Sequence, residues 1–364
     1  SLTSKDYMYT MKKLGYSSYW MEVNSNGGTL ITDFLLGNRY CIQSVSDLSQ
    51  EDIPVYQNEN YAIVENPNVT SFGAVFQTNS IEGLQHFQTN SRIDIQNILF
   101  QTFFPDESSP IYPYTPIDYQ NVYPGTSLNG KQGLYLEDAA YVSGEAGILY
   151  YEIAVEDTQT LYFDCFDEPH SYLREQINDS FTISVNGETI ETSYPSQSNN
   201  GILCLGTFTD TNVSLRIQVK KDVEANSFSV FGVNQQKLEQ AFANTKPVSC
   251  ESSNDSFHFT IEDGEEGQYL FIPVSSDGGF SAFVNGKEAE IYTVFDTFMA
   301  VKLESGDNTI RISYSVPGMK HSLFLIGAGV LLLIGIVWVL KRSPKWLRAL
   351  EKPAQILCTI LSVL

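Results

Sequence analysis

Two stretches decide the fold: FTISVNGETIE at 181–191 and FSAFVNGKEAEI at 280–291. Each sets an Asn-Gly pair between alternating β-formers, and Asn186-Gly187 and Asn285-Gly286 supply the positive φ angles that a two-residue type I′ hairpin requires. Working outward, a strand, an acidic turn and a second strand precede each hairpin, as ILYYEIAVEDTQTLYFDCF (148–166) and FHFTIEDGEEGQYLFIPV (257–274). Further strands follow: TNVSLRIQV (211–219) after the first, FMAVKL (298–303) and DNTIRISYSV (307–316) after the second. The pattern recurs after about 100 residues, the size of a sandwich domain. Alternation in SLRIQV and TIRISY turns one face inward and one to water, so each copy is expected to be an antiparallel β-sandwich of jelly-roll-like type. The plainer reading of the same pattern is two unrelated hairpins of a common kind.

These readings divide the chain. The first sandwich is expected over 126–233 and the second over 251–318, joined by a helical linker at 234–250 that contains NQQKLEQAFAN (234–244). Residues 1–125 have a different, mixed α/β texture and are read as a membrane-proximal segment. SKDYMYTMKKLGY (4–16) has the pattern of an amphipathic helix that stops at Gly15, and TLITDFLLGNRYCI (29–42) that of a helix or strand ending in an apolar β-like run. RIDIQNILFQTFF (92–104) reads as a helix ending before Pro105, and the Pro- and Tyr-rich stretch 105–125 as a connector.

The chain has 364 residues with 21 basic and 43 acidic side chains, a net charge of −22. Such a surface repels phosphate backbones, which excludes a nucleic-acid partner. The charge is unevenly spread: residues 1–319 carry −27, while residues from Lys320 onward carry +5, with Glu351 the lone acid among six bases. Between the two regions, SLFLIGAGVLLLIGIVWVL (322–340) is uncharged over nineteen residues. That length crosses ~30 Å of hydrocarbon, so a transmembrane helix at 322–340 is expected, with the lipid bilayer as its partner. Lys341, Arg342, Lys345 and Arg348 follow it. The positive-inside tendency then leaves the tail 341–364 cytoplasmic and residues 1–319 outside the membrane. Ser1 opens a polar stretch with no export signal, and AQILCTILSVL (354–364) resembles the start of a further membrane segment. The chain is therefore read as a piece of a polytopic membrane protein, with upstream membrane helices of the same protein as partners.

Candidate chemistry is sparse. DCFDEPH (164–170) places Asp164, Asp167 and Glu168 near a turn, where clustered carboxylates suit a hard cation such as Ca²⁺; a solvated acidic loop has the same composition. No other cofactor is expected in this chain. Cys165 and Cys204 share one proposed module and are open either to a disulfide or to the role of small buried hydrophobes. No GxSxG, HExxH or P-loop pattern is present, so no catalytic residue is named. Aromatic rings that stack on sugars are the remaining candidates: Tyr16, Tyr19 and Trp20 in YSSYW, and the tyrosines of IYPYTPIDYQNVY (111–123).

At these residues the chain resembles the YfhO-type bacterial membrane proteins, large polytopic proteins regarded as GT-C-like glycosyltransferases acting on cell-surface polymers such as lipoteichoic acid. LGNRYCI (36–42) is similar to the family's Leu-Gly-x-Lys-Tyr segment, with Tyr40 retained and Arg39 in place of Lys. ENPNVTSFG (65–73) is similar to its Glu-Asn-Pro-x-Ala-Leu-Pro-x-Gly, keeping Glu65, Asn66, Pro67 and Gly73 but with Thr70-Ser71 for Leu-Pro. Gln96-Asn97 matches its Gln-Asn pair. Residues 267–318, with Asn285 and Gly286 in their hairpin, resemble the family's last outer module; Phe280 stands where the family has Trp, and so joins the sugar-binding candidates.

The resemblance implies sugar transfer from a lipid-phosphate donor, with the catalytic carboxylate on an outer loop near membrane helices that this sequence does not contain. The expectation is a non-catalytic extracytoplasmic region of a glycosyltransferase-like protein that positions or recognises a cell-surface glycan or polymer of the teichoic-acid type. The competing reading is a membrane-anchored sandwich module with a purely structural or adhesive role.

Overall fold

The computed structural model describes residues 4–19, 22–45, 54–66, 69, 72–167, 177–253 and 255–342. Its first hundred residues form α1 (Lys5–Lys13), β1 (Tyr16–Tyr19), β2 (Glu22–Gly27), α2 (Leu30–Leu36), β3 (Tyr40–Ser44), β4 (Pro54–Gln57), β5 (Tyr61–Glu65), β6 (Ala74–Gln77) and α3 (Arg92–Phe103). Next come β7 (Ile111–Tyr114), β8 (Asp118–Gln120), β9 (Val122–Thr126), β10 (Gln132–Leu136), α4 (Asp138–Ser143), β11 (Gly147–Phe166), β12 (Phe181–Val185) and β13 (Glu188–Tyr194). The middle of the chain gives β14 (Leu203–Val219), β15 (Val223–Ala225), β16 (Ser227–Asn234) and α5 (Gln235–Ala243). The last part holds β17 (Ser249–Ser252), β18 (Ser256–Gly264), β19 (Gln268–Ser275), β20 (Phe280–Val284), β21 (Lys287–Ala289), β22 (Ile291–Val294), β23 (Phe298–Lys302), β24 (Gly306–Tyr314) and α6 (Met319–Arg342).

The molecule is mainly β, built from antiparallel sheets with a mixed α/β start and one apolar C-terminal helix. A large sheet of order β13-β12-β14-β11-β16-β7, with β8 added to β11, faces the small sheet β15-β10-β9. Farther along the chain, a five-stranded sheet β17-β18-β24-β20-β21 accompanies a four-stranded sheet β22-β23-β19-β6. Residues 1–277 and 281–313 form one compact unit; residues 278–280 and 314–364, which include α6, form another.

Both Asn-Gly hairpins form as the sequence requires. Val185 pairs with Glu188 and Val284 with Lys287. The turns hold Asn186 at φ 51° and Gly187 at 85°, and Asn285 at 50° and Gly286 at 79°. Helix boundaries also follow local signals. Ser4 caps α1 by accepting from the Tyr7 amide at 3.2 Å, Thr29 and Thr32 form a capping box on α2, and Gly37 ends α2 in the left-handed region.

Two expectations change. The acidic stretch around Asp157 does not reverse the chain: β11 is one strand of 20 residues, and its pairing with β14 merely shifts register between Val155 and Thr158. Asp157 and Asp210 take positive φ at this bulge, which bends both strands together without breaking the ladder. In the second copy the corresponding acidic stretch does connect two strands, β18 and β19, which lie in different sheets. The 105–125 connector is the other change, because it supplies β7, β8 and β9. Proline fits there, since β7 is the edge of its sheet and Pro113 opposite Phe231 need not donate outward.

One face of the large sheet buries Leu149, Ile153, Leu161, Phe163, Ile183 and Ile217 against the small sheet's Leu134, Leu136 and Val223. The opposite face sends Tyr162, Phe231 and Val233 into a second core shared with α2, α3, α5 and the β19 and β23 strands. Each fully buried Leu, Ile or Phe contributes roughly 1.5–3 kcal/mol to folding.

Candidate functional site

A cavity of about 240 Å³ lies between the large and small sheets, where β7 and β8 border the sandwich. Its position follows from strand register. Tyr119 pairs with Leu149 and Tyr114 with Val230, so both rings share the inner face with Tyr151. From the small sheet, Pro124, Leu134, Val223 and Ala225 close the other side. The link between β7 and β8 brings Thr115 and Pro116 to the rim.

The aromatic groups differ in their polar partners. The Tyr114 hydroxyl donates to Gln159 Oε1 at 2.9 Å. Tyr151 is only 2% exposed, yet its hydroxyl has no hydrogen-bond partner among the described residues. Tyr119 is 39% exposed, and its hydroxyl is likewise without a partner among them. Burial pushes all three phenols above their ordinary range, and at Tyr151 the neighbouring Tyr119 adds to this. They are neutral hydroxyls at physiological pH, able both to donate and to accept. The Tyr151 hydroxyl has no protein partner among the described residues and lines the cavity, so it can pair with a ligand there. Chemically the cavity offers apolar ring faces with hydroxyls among them, the environment a saccharide needs.

The other sugar-binding candidates lie elsewhere. Tyr16 is 4% exposed and belongs to a core; its hydroxyl donates to Asp33 at 2.8 Å and accepts from Asn38 at 3.0 Å. That ring is therefore unavailable for stacking, and it holds α2 to β1 instead. Burial also raises the Asp33 carboxyl above its usual range. Tyr19 lies at the end of β1, and Trp20 falls outside the described residues. Phe280 is half-buried and packs on Tyr314, with ring centroids 4.8 Å apart.

The carboxylates expected near a cation are separately engaged. Asp164 is fully buried; its Oδ1 accepts from Arg92 Nη1 at 3.1 Å and its Oδ2 from the Ser227 hydroxyl at 2.5 Å. Burial raises its carboxyl, while Arg92 opposes the rise. Asp167 forms an ion pair with Lys131, and Glu168 lies outside the described residues. Among the described residues no group of three or more His, Cys, Asp or Glu side chains could hold a metal. Cys165 and Cys204 are not joined: Cys204 sits opposite Tyr162, three residues from Cys165 along β11.

Family-motif residues do structural work. Glu65 pairs with Arg39 at 2.8 Å, and the Asn66 amide donates to the Arg39 carbonyl at 2.7 Å. Tyr40 is 55% exposed on the outer face of the β3-β5-β4 sheet, and Pro67 is outside the described residues. A Cβ on Gly73 would meet the Phe271 carbonyl oxygen at 2.9 Å, so the chain passes there only as glycine. Gln96 is buried and bridges the Thr29 hydroxyl and the Leu14 carbonyl, at 2.6 and 3.0 Å. Asn97 accepts from the Ser109 hydroxyl at 2.8 Å, and Asn285 accepts from the Thr309 amide at 2.9 Å beside Gly286.

The cavity tyrosines 114 and 119 come from the stretch 111–123 whose rings the sequence offers for sugar stacking. Tyr151 escapes that reading, although a signal exists: in LYYEIAV it shares the inward parity of Leu149, Ile153 and Val155, where a hydroxyl needs a partner.

Comparison with known proteins sets this architecture in a family. A family described as "Bacterial membrane protein YfhO" matches residues 1–326. The uncharacterized protein YfhO of Bacillus subtilis (strain 168) is 22% identical over 314 residues, covering 79% of this chain. The chain spans about a third, 33%, of that relative's length. Among solved structures, a family 35 carbohydrate binding module from Clostridium thermocellum is 12% identical with a TM-score of 0.23, covering 34% of this chain and 96% of the module. The arabinofuranosyltransferase AftD from Mycobacteria is 8% identical with a TM-score of 0.18, covering 68% of this chain and 24% of AftD. With its family match running through both pairs of sheets and into the start of the apolar helix, this chain belongs to the YfhO family of bacterial membrane proteins.

Proposed function

We propose that this chain is the extracytoplasmic, glycan-recognising region of a membrane glycosyltransferase-like protein, and that the cavity between the large and small sheets holds part of a cell-surface acceptor. In this reading α6 anchors the region in the bacterial cytoplasmic membrane. Residues 321–339 have a mean hydropathy of 2.6, and none of them is buried within the protein. The basic residues that follow stay on the cytoplasmic side, and the −27 body stands outside. The catalytic carboxylate belongs to another part of the protein, and the teichoic-acid class of polymer is the acceptor this reading favours.

The observation that carries the proposal is the Tyr151 hydroxyl, which has no protein partner among the described residues and lines a cavity walled by aromatic rings. Saturation-transfer NMR tests it, using the full chain in lipid nanodiscs with teichoic-acid fragments and other envelope oligosaccharides. Transfer to sugar ring protons is expected, and Tyr119→Ala should remove most of it. No transfer with any glycan, or equal transfer to the variant, would contradict the assignment.

A further inference from the structure

We infer that the cavity takes an uncharged sugar ring and rejects phosphorylated or uronic-acid units; this rests on the glycan reading above. Among the described residues, no Lys, Arg, His, Asp or Glu side chain lines the cavity. The charged residues next to the lining ones along the chain are mostly acidic and none of them lines the cavity. Asp118 precedes Tyr119 and accepts from its amide at 2.9 Å, and Asp222 accepts from the Leu136 amide at 2.8 Å. Glu224 lies opposite Gly133 and accepts from the Tyr135 hydroxyl at 2.8 Å. Glu156 is close enough to raise the Tyr114 phenol, behind the larger effect of burial. Lys131, next to the lining residue Gln132, is already paired with Asp167.

An anion entering here would lose its hydration and meet no cation in the lining; both oppose binding. A neutral sugar meets none of these costs. Its aliphatic face lies on the Tyr, Phe and Pro surfaces, and its hydroxyls can pair with Tyr151, Tyr119 and the Gln132 amide. The volume, equal to about eight waters of bulk liquid, suits a ring better than a chain. If the acceptor is a polyanionic polymer, the cavity reads its sugar substituent or a neutral terminal unit, and the phosphodiester backbone stays in solvent.

Ligand-observed NMR titration on the full chain in nanodiscs, at fixed ionic strength, tests this. The probes are methyl glycosides of glucose, galactose and N-acetylglucosamine, set against glucose 6-phosphate and glucuronic acid. At least one neutral glycoside should bind, with the charged sugars at least about tenfold weaker. Tyr151→Phe should weaken the neutral ligand by about three- to tenfold. The same variant should keep or raise the thermal midpoint, because it removes a hydroxyl with no protein partner. Charged sugars binding as well as neutral ones, or an unchanged Tyr151→Phe affinity, would overturn the inference and leave the glycan reading standing. Absence of binding by any sugar, charged or neutral, would overturn both.

Discussion

Arg92 is fully buried, and its contacts gather four pieces of chain. Its Nε donates to the Lys12 carbonyl at 2.7 Å, and its Nη1 to Asp164 and to the Asn200 carbonyl, both at 3.1 Å. The guanidinium lies over the Phe166 ring at 4.1 Å, a cation–π contact in a dry setting. An ion pair this deep stabilises little relative to an apolar replacement, but losing one partner strands the other charge. Arg92→Met alone should therefore cost about 3–5 kcal/mol in denaturant unfolding, while Arg92→Met with Asp164→Leu should recover much of that. Strict additivity of the two single changes would contradict this. Little of the arrangement is legible in sequence. Asp164 sits in an acidic run whose composition points to solvent or Ca²⁺, and its partner lies 72 positions away, brought in only by tertiary packing of α3 on β11. Tyr16 is obscured for the same reason, since an aromatic near polar residues shows its burial only once α2 places Asp33 beside it.

At the scale of elements, local chemistry was easier to read. The Asn-Gly hairpins carry their geometry within a few residues, and both form; the Thr29 capping box and the Gly37 stop, found in the structure, are set just as locally. The acidic turns are harder, because VEDTQ and EDGEEG are both acidic runs between apolar strands, yet one becomes a bulge in β11 and the other links two sheets. The decision belongs to partners: β14 runs alongside both halves of β11 and bends with it, whereas β18 and β19 pair with different strands. Glycines give a quantitative test. A Cβ on Gly286 meets nothing, so Gly286→Ala carries only left-handed strain and should cost about 1 kcal/mol. A Cβ on Gly201 would collide with the Gly15 carbonyl oxygen and lie 2.9 Å from Gly27 Cα, backbone that cannot rotate aside. Gly201→Ala should therefore cost more, about 2–3 kcal/mol, with a correspondingly larger fall in the thermal midpoint. Equal losses from the two substitutions would refute the close-approach argument.

For the whole molecule, the proposed orientation rests on charge and apolar length together. Along the sequence, the acidic body precedes and the bases follow the one described helix apolar enough to cross a bilayer. In intact cells, a membrane-impermeant maleimide should label Leu128→Cys, on the exposed β9-β10 connection, and should reach Arg342→Cys only after permeabilisation. The reverse pattern would invert the assigned topology. The sandwich architecture was visible in the repeat, but the cavity was not, because it depends on how β7 and β8 border the sheets and on an inward Tyr151 whose missing partner no sequence displays. The most direct measurement is a structure of the full chain with a neutral methyl glycoside bound. It should place a sugar oxygen about 2.6–3.2 Å from the Tyr151 hydroxyl, with the ring against Tyr119. A glycoside bound elsewhere with the cavity empty, or held through a charged group, would contradict the account.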